Sequence, residues 1–203
     1  MDEFTPYGDD FEPALENLEK VLQRCIDTRL CLSHEKCHMM MTEGLILGHY
    51  MSAAGIQVDL AKIQIILLIP TPTTQTKVRS FLGFSGYYRR FIEHYSQIAA
   101  PLYALTGNID FNWTDKCDHA FEDLKKLLST APVLRGPNWD LPFQISSDAS
   151  NTAIGSVLGY KEDKKPYEIY YISKNLSPAE LNYTVTEKEF LAVIHAVINL
   201  DII

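Results

Sequence analysis

The sequence predicts an α+β protein in which helices come first and a sheet follows. Apolar residues recur at helical spacing in most segments before residue 131, whereas after Pro142 short apolar runs alternate with turn residues. The stretch "APVLRGPNWDLP" at 131–142 separates the two patterns and predicts a domain boundary there. The 203 residues, 46% of them hydrophobic, are enough for one large domain or two small ones.

Six helices follow from the periodicity and from capping residues. They are predicted at 11–24, 59–68, 74–92, 96–105, 114–131 and from Val185 to the C-terminus. Asp59 is the expected N-cap of the second helix, and Thr73 or Thr74 that of the third.

Strands are predicted in three places. "TRLCLSH" alternates like a short strand, and "GLILGHYMSAAGIQVD" carries three glycines among apolar residues, as hairpin strands with tight turns do. Three further strands are expected near 142–148, 152–160 and 166–173.

Charge and cysteine content exclude some classes of protein. The net charge of −8 argues against a general nucleic-acid coat protein but leaves room for a local basic face. No apolar run reaches the roughly 18 residues of a membrane span, and the acidic start is unlike a signal peptide. The four cysteines therefore predict reduced thiols in an intracellular protein.

One face of the 74–92 helix is a candidate binding surface. A helical wheel places four residues on it: Arg79, Gly83, Gly86 and Arg90. Four aromatic residues form an opposite stripe expected in the core: Phe81, Phe84, Tyr88 and Phe91. Each mid-helix glycine costs about 1 kcal/mol against alanine, which a closely approaching phosphate backbone flanked by arginines would explain. Close helix–helix packing with solvated arginines explains the pattern equally well.

A cluster of metal-ligand residue types lies at Cys25, Cys31, His34, Cys37 and His38. Its spacing does not match a structural zinc site, and Cys25 belongs to the apolar stripe of the first helix. Buried reduced thiols beside a surface histidine fit the cluster better.

Two carboxylates are candidate metal ligands. Asp148 ends a predicted strand, and Glu189 lies in the first turns of the last helix. Two capping boxes are possible at the start of that helix: one pairs Thr184 and Glu187, and the other pairs Thr186 and Glu189. If Thr184 is the cap, Glu189 points toward the sheet and needs a cation or a metal ion. Alternatively, Asp148 forms a turn and Glu189 interacts with the helix dipole, and the residues alone favour this interpretation.

Five blocks change that balance because they resemble, in the same order, the Pol polyprotein of gypsy-class LTR retrotransposons. They are "SHEKCHMM…LGHYMSAAGIQVD", "VRSFLGFSGYYRRFI…IAAPL", "FNWTDKCDHAFEDLKKLLSTAPVL", "SSDASNTAIGSVLG" and "ISKNLSPAELNYTVTEKEFLAVIHAV". The resemblance runs from Met1 to about Val197.

The resemblance implies a three-part layout. Residues 1–58 would be the end of a reverse-transcriptase palm, with Leu47, Gly48, His49 and Tyr50 in the segment that grips the primer strand. Residues 59–140 would be the helical thumb and connection, and 141–203 the start of an incomplete RNase H-like domain. The 74–92 helix would be the thumb helix that contacts an RNA–DNA hybrid or a template–primer duplex.

The resemblance also implies catalytic roles. Asp148 and Glu189 match two of the RNase H carboxylates, which bind Mg²⁺ or Mn²⁺ and cut RNA with two ions about 4 Å apart. Asp2, in "MDEF", matches part of the Tyr-x-Asp-Asp polymerase motif, with Glu3 at the place of the second aspartate. With only two of the RNase H carboxylates, the chain is predicted to be inactive alone. The alternatives are a non-catalytic nucleic-acid-binding module, or a complete Pol enzyme shortened by its gene model.

Overall fold

The computed structural model describes residues 4–107 and 110–200, and of Leu200 only the backbone. The helices are α1 Phe11–Thr28, α2 Leu60–Leu67, α3 Gln75–Tyr87, α4 Tyr95–Ala104, α5 Asp115–Ser129 and α6 Val185–Leu200. The strands are β1 Gly44–Ile46, β2 His49–Ser52, β3 Gly55–Val58, β4 Phe143–Ala149, β5 Ala153–Glu162 and β6 Lys165–Asn175. Short 3₁₀ turns lie at His34–Lys36, Arg89–Phe91 and Glu180–Asn182. The predicted α+β class is confirmed.

The strands form two antiparallel sheets, each with its strands in chain order. In the first sheet, β1 and β2 are joined by Leu47 and Gly48, whose φ angles of 46° and 69° are those of a tight type I′ turn. In the second, β5 and β6 shift register at Leu158/Gly159. A Cβ on Gly159 would lie 2.3 Å from the Tyr167 carbonyl oxygen, so only glycine fits there. Within the described chain, β4 is an outer strand that pairs only with β5.

Helix starts follow the capping rules. Asp59 accepts hydrogen bonds from the amides of Ala61 at 2.9 Å and Lys62 at 3.4 Å, and Thr74 caps α3. At α6, the Thr184 amide donates to Glu187 Oε2 at 2.8 Å, and the Glu187 amide donates to Thr184 Oγ1 at 3.3 Å. Thr184 is therefore the cap, which leaves Glu189 outside the capping box.

Two hydrophobic cores organise the chain. The larger core joins α2 to α5 and extends from Val58 to Leu134, with the rings of Phe81 and Phe121 4.5 Å apart. The smaller core lies between β5 and α6, where Ile154 contacts Ala192 and Leu176. The second sheet thus has α6 on one face and α4 packed against β6 on the other.

Three predicted details were wrong. "TRLCLSH" forms no strand, because α1 continues to Thr28 and ends with Arg29 in the left-handed conformation. The helix predicted at 74–92 ends at Tyr87, since the chain tightens into a 3₁₀ turn that carries Tyr88 and Phe91 into the core. Phe84 does not belong to the buried stripe, because 51% of it is exposed. No helix of the described residues is long and apolar enough to cross a membrane.

Candidate nucleic-acid interface and carboxylate pair

The β1–β2 turn is held against the C-terminal end of α3. The Tyr88 hydroxyl donates to the Gly48 carbonyl oxygen at 2.9 Å, and the Tyr87 hydroxyl donates to the Leu47 carbonyl oxygen. His49 Nδ1 also donates to the Leu47 oxygen, at 3.0 Å. Two successive carbonyl groups of the turn are therefore hydrogen-bonded to side chains.

His49 lies inside an aromatic cluster. Its ring centroid is 5.1 Å from that of Tyr87 and 5.8 Å from that of Phe91, both in stacked orientation. Its Nε2 is buried and has no hydrogen-bond partner among the described residues. Burial lowers the pKa of His49, and the charges of Arg90 and Lys62 lower it further. The hydrogen bond to Leu47 acts in the opposite direction and raises the pKa. His49 thus supports the turn from its buried side.

The outer side of this junction is an exposed surface that we call the α3–turn surface: Leu47, Lys62, Gly83, Phe84 and Tyr87. Leu47 is 63% exposed and Tyr87 47% exposed, and the Lys62 ammonium lies 5.4 Å from the centre of the Tyr87 ring. A Cβ added to Gly83 would meet no atom within 4 Å. The sequence prediction missed Lys62, Phe84 and Tyr87. For Phe84 and Tyr87, the signal in the sequence was their helical spacing next to Gly83.

The other residues predicted for this interface are placed differently. Arg79 is exposed and donates to the Thr106 carbonyl oxygen at 2.7 Å. A Cβ on Gly86 would lie 3.4 Å from the Tyr95 hydroxyl, so intramolecular packing partly accounts for this glycine. Arg90 lies in the 3₁₀ turn, with its guanidinium 4.9 Å from the centre of the Tyr170 ring.

The predicted common face of Arg79, Gly83, Gly86 and Arg90 is therefore wrong for Arg90, because the α-helical period ends before it. Tyr50 is half-buried in β2, and its interaction with Glu43 raises the pKa of its hydroxyl.

Asp148 is exposed near the end of β4, directly opposite Gly155 of β5. Opposed residues of an antiparallel pair share one face of the sheet. The Cβ position of Gly155 points at His94, so Asp148 lies on the face covered by α4. There it lines a small cleft of about 100 Å³ together with Glu93 and His94.

Glu189 lies in the first turns of α6, on the helix that covers the other face. It is exposed and does not point toward the sheet as predicted, because Lys188, Ala192 and Ala196 form the buried face of α6. The Ser156 hydroxyl donates to the Ala192 carbonyl oxygen at 3.2 Å, which fixes α6 to that face. Lys188 Nζ donates to the Asn151 carbonyl oxygen at 3.3 Å and ties the start of α6 to the β4–β5 turn. The two carboxylates consequently lie at the same end of the sheet, on elements of opposite faces.

The donor set does not fit a two-metal centre. Among residues 4–107 and 110–200, no group of three or more His, Cys, Asp or Glu side chains is arranged to hold a metal ion. Asp148 and Glu189 can supply two carboxylates, which is fewer than two Mg²⁺ or Mn²⁺ ions require. The cluster from Cys25 to His38 lies within these residues and forms no metal-holding group either, and its three cysteines are free. Asp2 lies outside the described residues.

Comparison with known proteins finds relatives along nearly the whole chain. Residues 113–202 match the model of the RNase H-like domain found in reverse transcriptase. The retrovirus-related Pol polyprotein from transposon opus of Drosophila melanogaster is 34% identical to this chain over 98% of the chain's length. The corresponding polyprotein from transposon 297 of the same organism is 34% identical over 97% of the chain. The homologues of this chain are retrotransposon Pol polyproteins. The resemblance to gypsy-class elements is confirmed.

The chain spans about a fifth of the length of these Pol relatives, 21% of the opus polyprotein and 18% of the 297 polyprotein. The Tf2-3 polyprotein of Schizosaccharomyces pombe is 31% identical over 96% of the chain. The limits predicted for the palm, the thumb with connection and the RNase H-like part stay predictions.

Solved structures show the same fold. The foamy viral protease-reverse transcriptase in complex with RNA/DNA hybrid superimposes with a TM-score of 0.78 over 95% of this chain and 26% of its own, at 23% identity. A foamy viral protease-reverse transcriptase structure with double-stranded DNA superimposes with a TM-score of 0.78 over 96% of this chain and 34% of its own, at 23% identity.

Proposed function

We propose that this chain is a nucleic-acid-handling segment of a Pol reverse transcriptase/RNase H, and that it binds an RNA–DNA hybrid or a template–primer duplex on the α3–turn surface. The observation that carries the proposal is Gly83. It lies in the middle of α3, where glycine costs about 1 kcal/mol against alanine, and its Cβ position faces open space. Packing inside the chain therefore gives no reason for a glycine, whereas a duplex backbone approaching the helix does.

The chemistry around Gly83 suits the minor groove of a hybrid duplex. An A-form minor groove is wide and shallow and displays sugars and 2′-hydroxyls. The exposed rings of Phe84 and Tyr87 offer apolar contact to sugars, while Lys62 supplies a cation for a phosphate. Arg79, one turn before Gly83 in α3, is a second cation. The chain is acidic overall, so we expect few phosphate contacts and a shallow dependence of affinity on salt.

The comparisons support the proposal at the level of fold. The foamy viral protein with the same fold was solved with an RNA/DNA hybrid. Leu47 and Gly48, which resemble primer-gripping residues, belong to the turn held against α3.

Substitution of Gly83 tests the proposal. Gly83→Ala is expected to raise the free energy of unfolding by up to about 1 kcal/mol while lowering the affinity for a fluorescently labelled RNA–DNA hybrid about tenfold, as measured by anisotropy. Gly136→Ala is the matched control, because its Cβ also meets nothing within 4 Å and it lies outside this surface. The proposal fails if the wild-type chain does not bind the hybrid, or if both alanine variants bind it as tightly as the wild type.

We also propose that Asp148 and Glu189 are metal ligands of the RNase H-like part in the context of a Pol polyprotein, and that this chain by itself does not hydrolyse RNA. Their location at one end of the sheet supports shared use, and the lack of a third ligand group among the described residues argues against turnover. When present, divalent ions would supply the nucleophile and the charge stabilisation that phosphodiester cleavage requires. Polymerisation and hybrid hydrolysis by the whole Pol remain proposals, as does a role for Asp2.

A further inference from the structure

The turn between β1 and β2 is held against α3 by side chains rather than by its own short strands. It joins strands of three and four residues, and a hairpin of that size is marginally stable by itself. The first sheet is anchored elsewhere at its far strand, where Ile56 and Leu134 exchange backbone hydrogen bonds of 2.7 and 3.0 Å. The position of Leu47 relative to α3 therefore depends on what holds the turn directly.

Tyr87 and His49 bond the Leu47 carbonyl oxygen, and Tyr88 is the side chain that holds the Gly48 carbonyl oxygen. The Tyr88 side chain is 1% exposed and packs in the main core, and its hydroxyl donates to the Gly48 carbonyl oxygen at 2.9 Å. Burial raises the pKa of Tyr88 to about 12, so the hydroxyl keeps its proton at neutral pH. A rigid core residue thus holds the turn through a single polar atom.

We propose that Tyr88 is a positioning residue: it fixes the Leu47–Gly48 turn against α3 and so keeps Leu47 in register with Gly83 and Phe84 for duplex binding. The inference rests on the proposed function, because it assigns Tyr88 a role in that same surface. Tyr88 itself touches no nucleic acid in this arrangement. Its effect on affinity passes through the turn.

Tyr88→Phe removes the hydroxyl and leaves the ring in the core. We expect this variant to bind the labelled RNA–DNA hybrid about fivefold more weakly, at a temperature where it is fully folded. Tyr95→Phe is the matched control, since Tyr95 is equally buried and its hydroxyl bonds to Ser85 of α3 at 3.0 Å without contacting the turn. Both variants should unfold at lower temperature than the wild type, but only Tyr88→Phe should lose affinity.

A double-mutant cycle separates positioning from a general structural role. Leu47→Ala is expected to weaken hybrid binding about threefold in the wild type and less in Tyr88→Phe, because the turn then keeps only its Leu47 bonds to Tyr87 and His49 and is held less firmly. Additive effects of the two changes, unchanged affinity in Tyr88→Phe, or equal losses in Tyr88→Phe and Tyr95→Phe would each overturn the inference while leaving the proposed function intact. If the wild-type chain does not bind the hybrid, the proposed function fails and the inference falls with it.

Discussion

His94 packs its imidazole ring directly on Gly155: its Nδ1 lies 3.0 Å from the position that a Cβ of residue 155 would take. Beside this contact, the Ser96 amide donates to Ser173 Oγ at 2.9 Å and Ser96 Oγ donates to the Ser173 carbonyl oxygen at 2.8 Å. Arg90 adds its stacking on Tyr170. The helical region and the second sheet are therefore joined by a set of close contacts next to the Asp148 cleft.

Alanine at position 155 should strain the contact with His94. The added Cβ would sit 3.0 Å from His94 Nδ1, so the imidazole must shift by a few tenths of an ångström, and we expect this to cost about 1 kcal/mol. We expect Gly155→Ala to lower the free energy of unfolding in urea by that amount, whereas Gly83→Ala, with open space around it, should not lower it. Equal stability of Gly155→Ala and the wild type would show that His94 moves away at no cost.

Removal of the Ser173 hydroxyl should weaken the contact between α4 and β6 by removing a hydrogen bond. Ser173→Ala deprives the Ser96 amide of its acceptor, and an unmade hydrogen bond of a part-buried group costs about 1–2 kcal/mol. Urea denaturation measures the loss. Ser129→Ala serves as the control, because the Ser129 hydroxyl bonds to the Lys126 carbonyl oxygen on the exposed side of α5. A loss no larger than that of the control would contradict the prediction.

Glu180 should make stability depend on pH in the acid range. Its carboxylate accepts from Lys174 Nζ at 2.6 Å and from the Ser177 amide at 2.7 Å. These bonds lower the pKa of Glu180 from 4.5 to about 2, and the bond from Lys174 has the largest effect. Because the folded-state pKa is depressed, the stabilisation is complete above pH 4.5 and is lost as the pH falls toward 2.

The unfolding midpoints of the wild type and Glu180→Gln, measured across this range, test the prediction. The gap between them is expected to be widest near neutral pH and to close toward pH 2. A gap that stays constant with pH would mean that the charge of Glu180 is not the stabilising element.

The 203-residue chain is expected to show no cleavage of the RNA strand in a labelled RNA–DNA hybrid with Mg²⁺ or Mn²⁺, because its described residues bring no third ligand group to Asp148 and Glu189. Asp148→Asn should behave like the wild type in this assay. Turnover that the substitution abolishes would show that a complete set of ligands forms around Asp148.

Local rules predicted the parts of the fold that depend on neighbours in sequence. The cap at Asp59 and the tight turn at Gly48 satisfy backbone groups within a few residues, so their patterns can be read from the chain. Thr74 and Thr184 were each one of two candidate caps, and the structure selects them. The end of α3 could not be read in this way, since the burial of Tyr88 against the β1–β2 turn overrides the helical period.

The candidate interface shows the same limit. Arg90 looked like a surface cation, but its partner Tyr170 is eighty residues away in sequence. Lys62 comes from α2 and reaches Tyr87 only through tertiary packing. Gly83 and Gly86 looked equivalent, and only the structure shows that one faces open space and the other faces Tyr95.

The outer position of β4 bears on how the purified chain will behave. Among residues 4–107 and 110–200, no strand pairs with β4 on the side away from β5, and Phe143 and Ile145 on the strand are each more than a third exposed. Such an edge is a template on which another polypeptide can add a strand. Concentrated solutions should therefore accumulate oligomers over time, and a lysine introduced at residue 145 should keep the protein monodisperse for longer in light scattering.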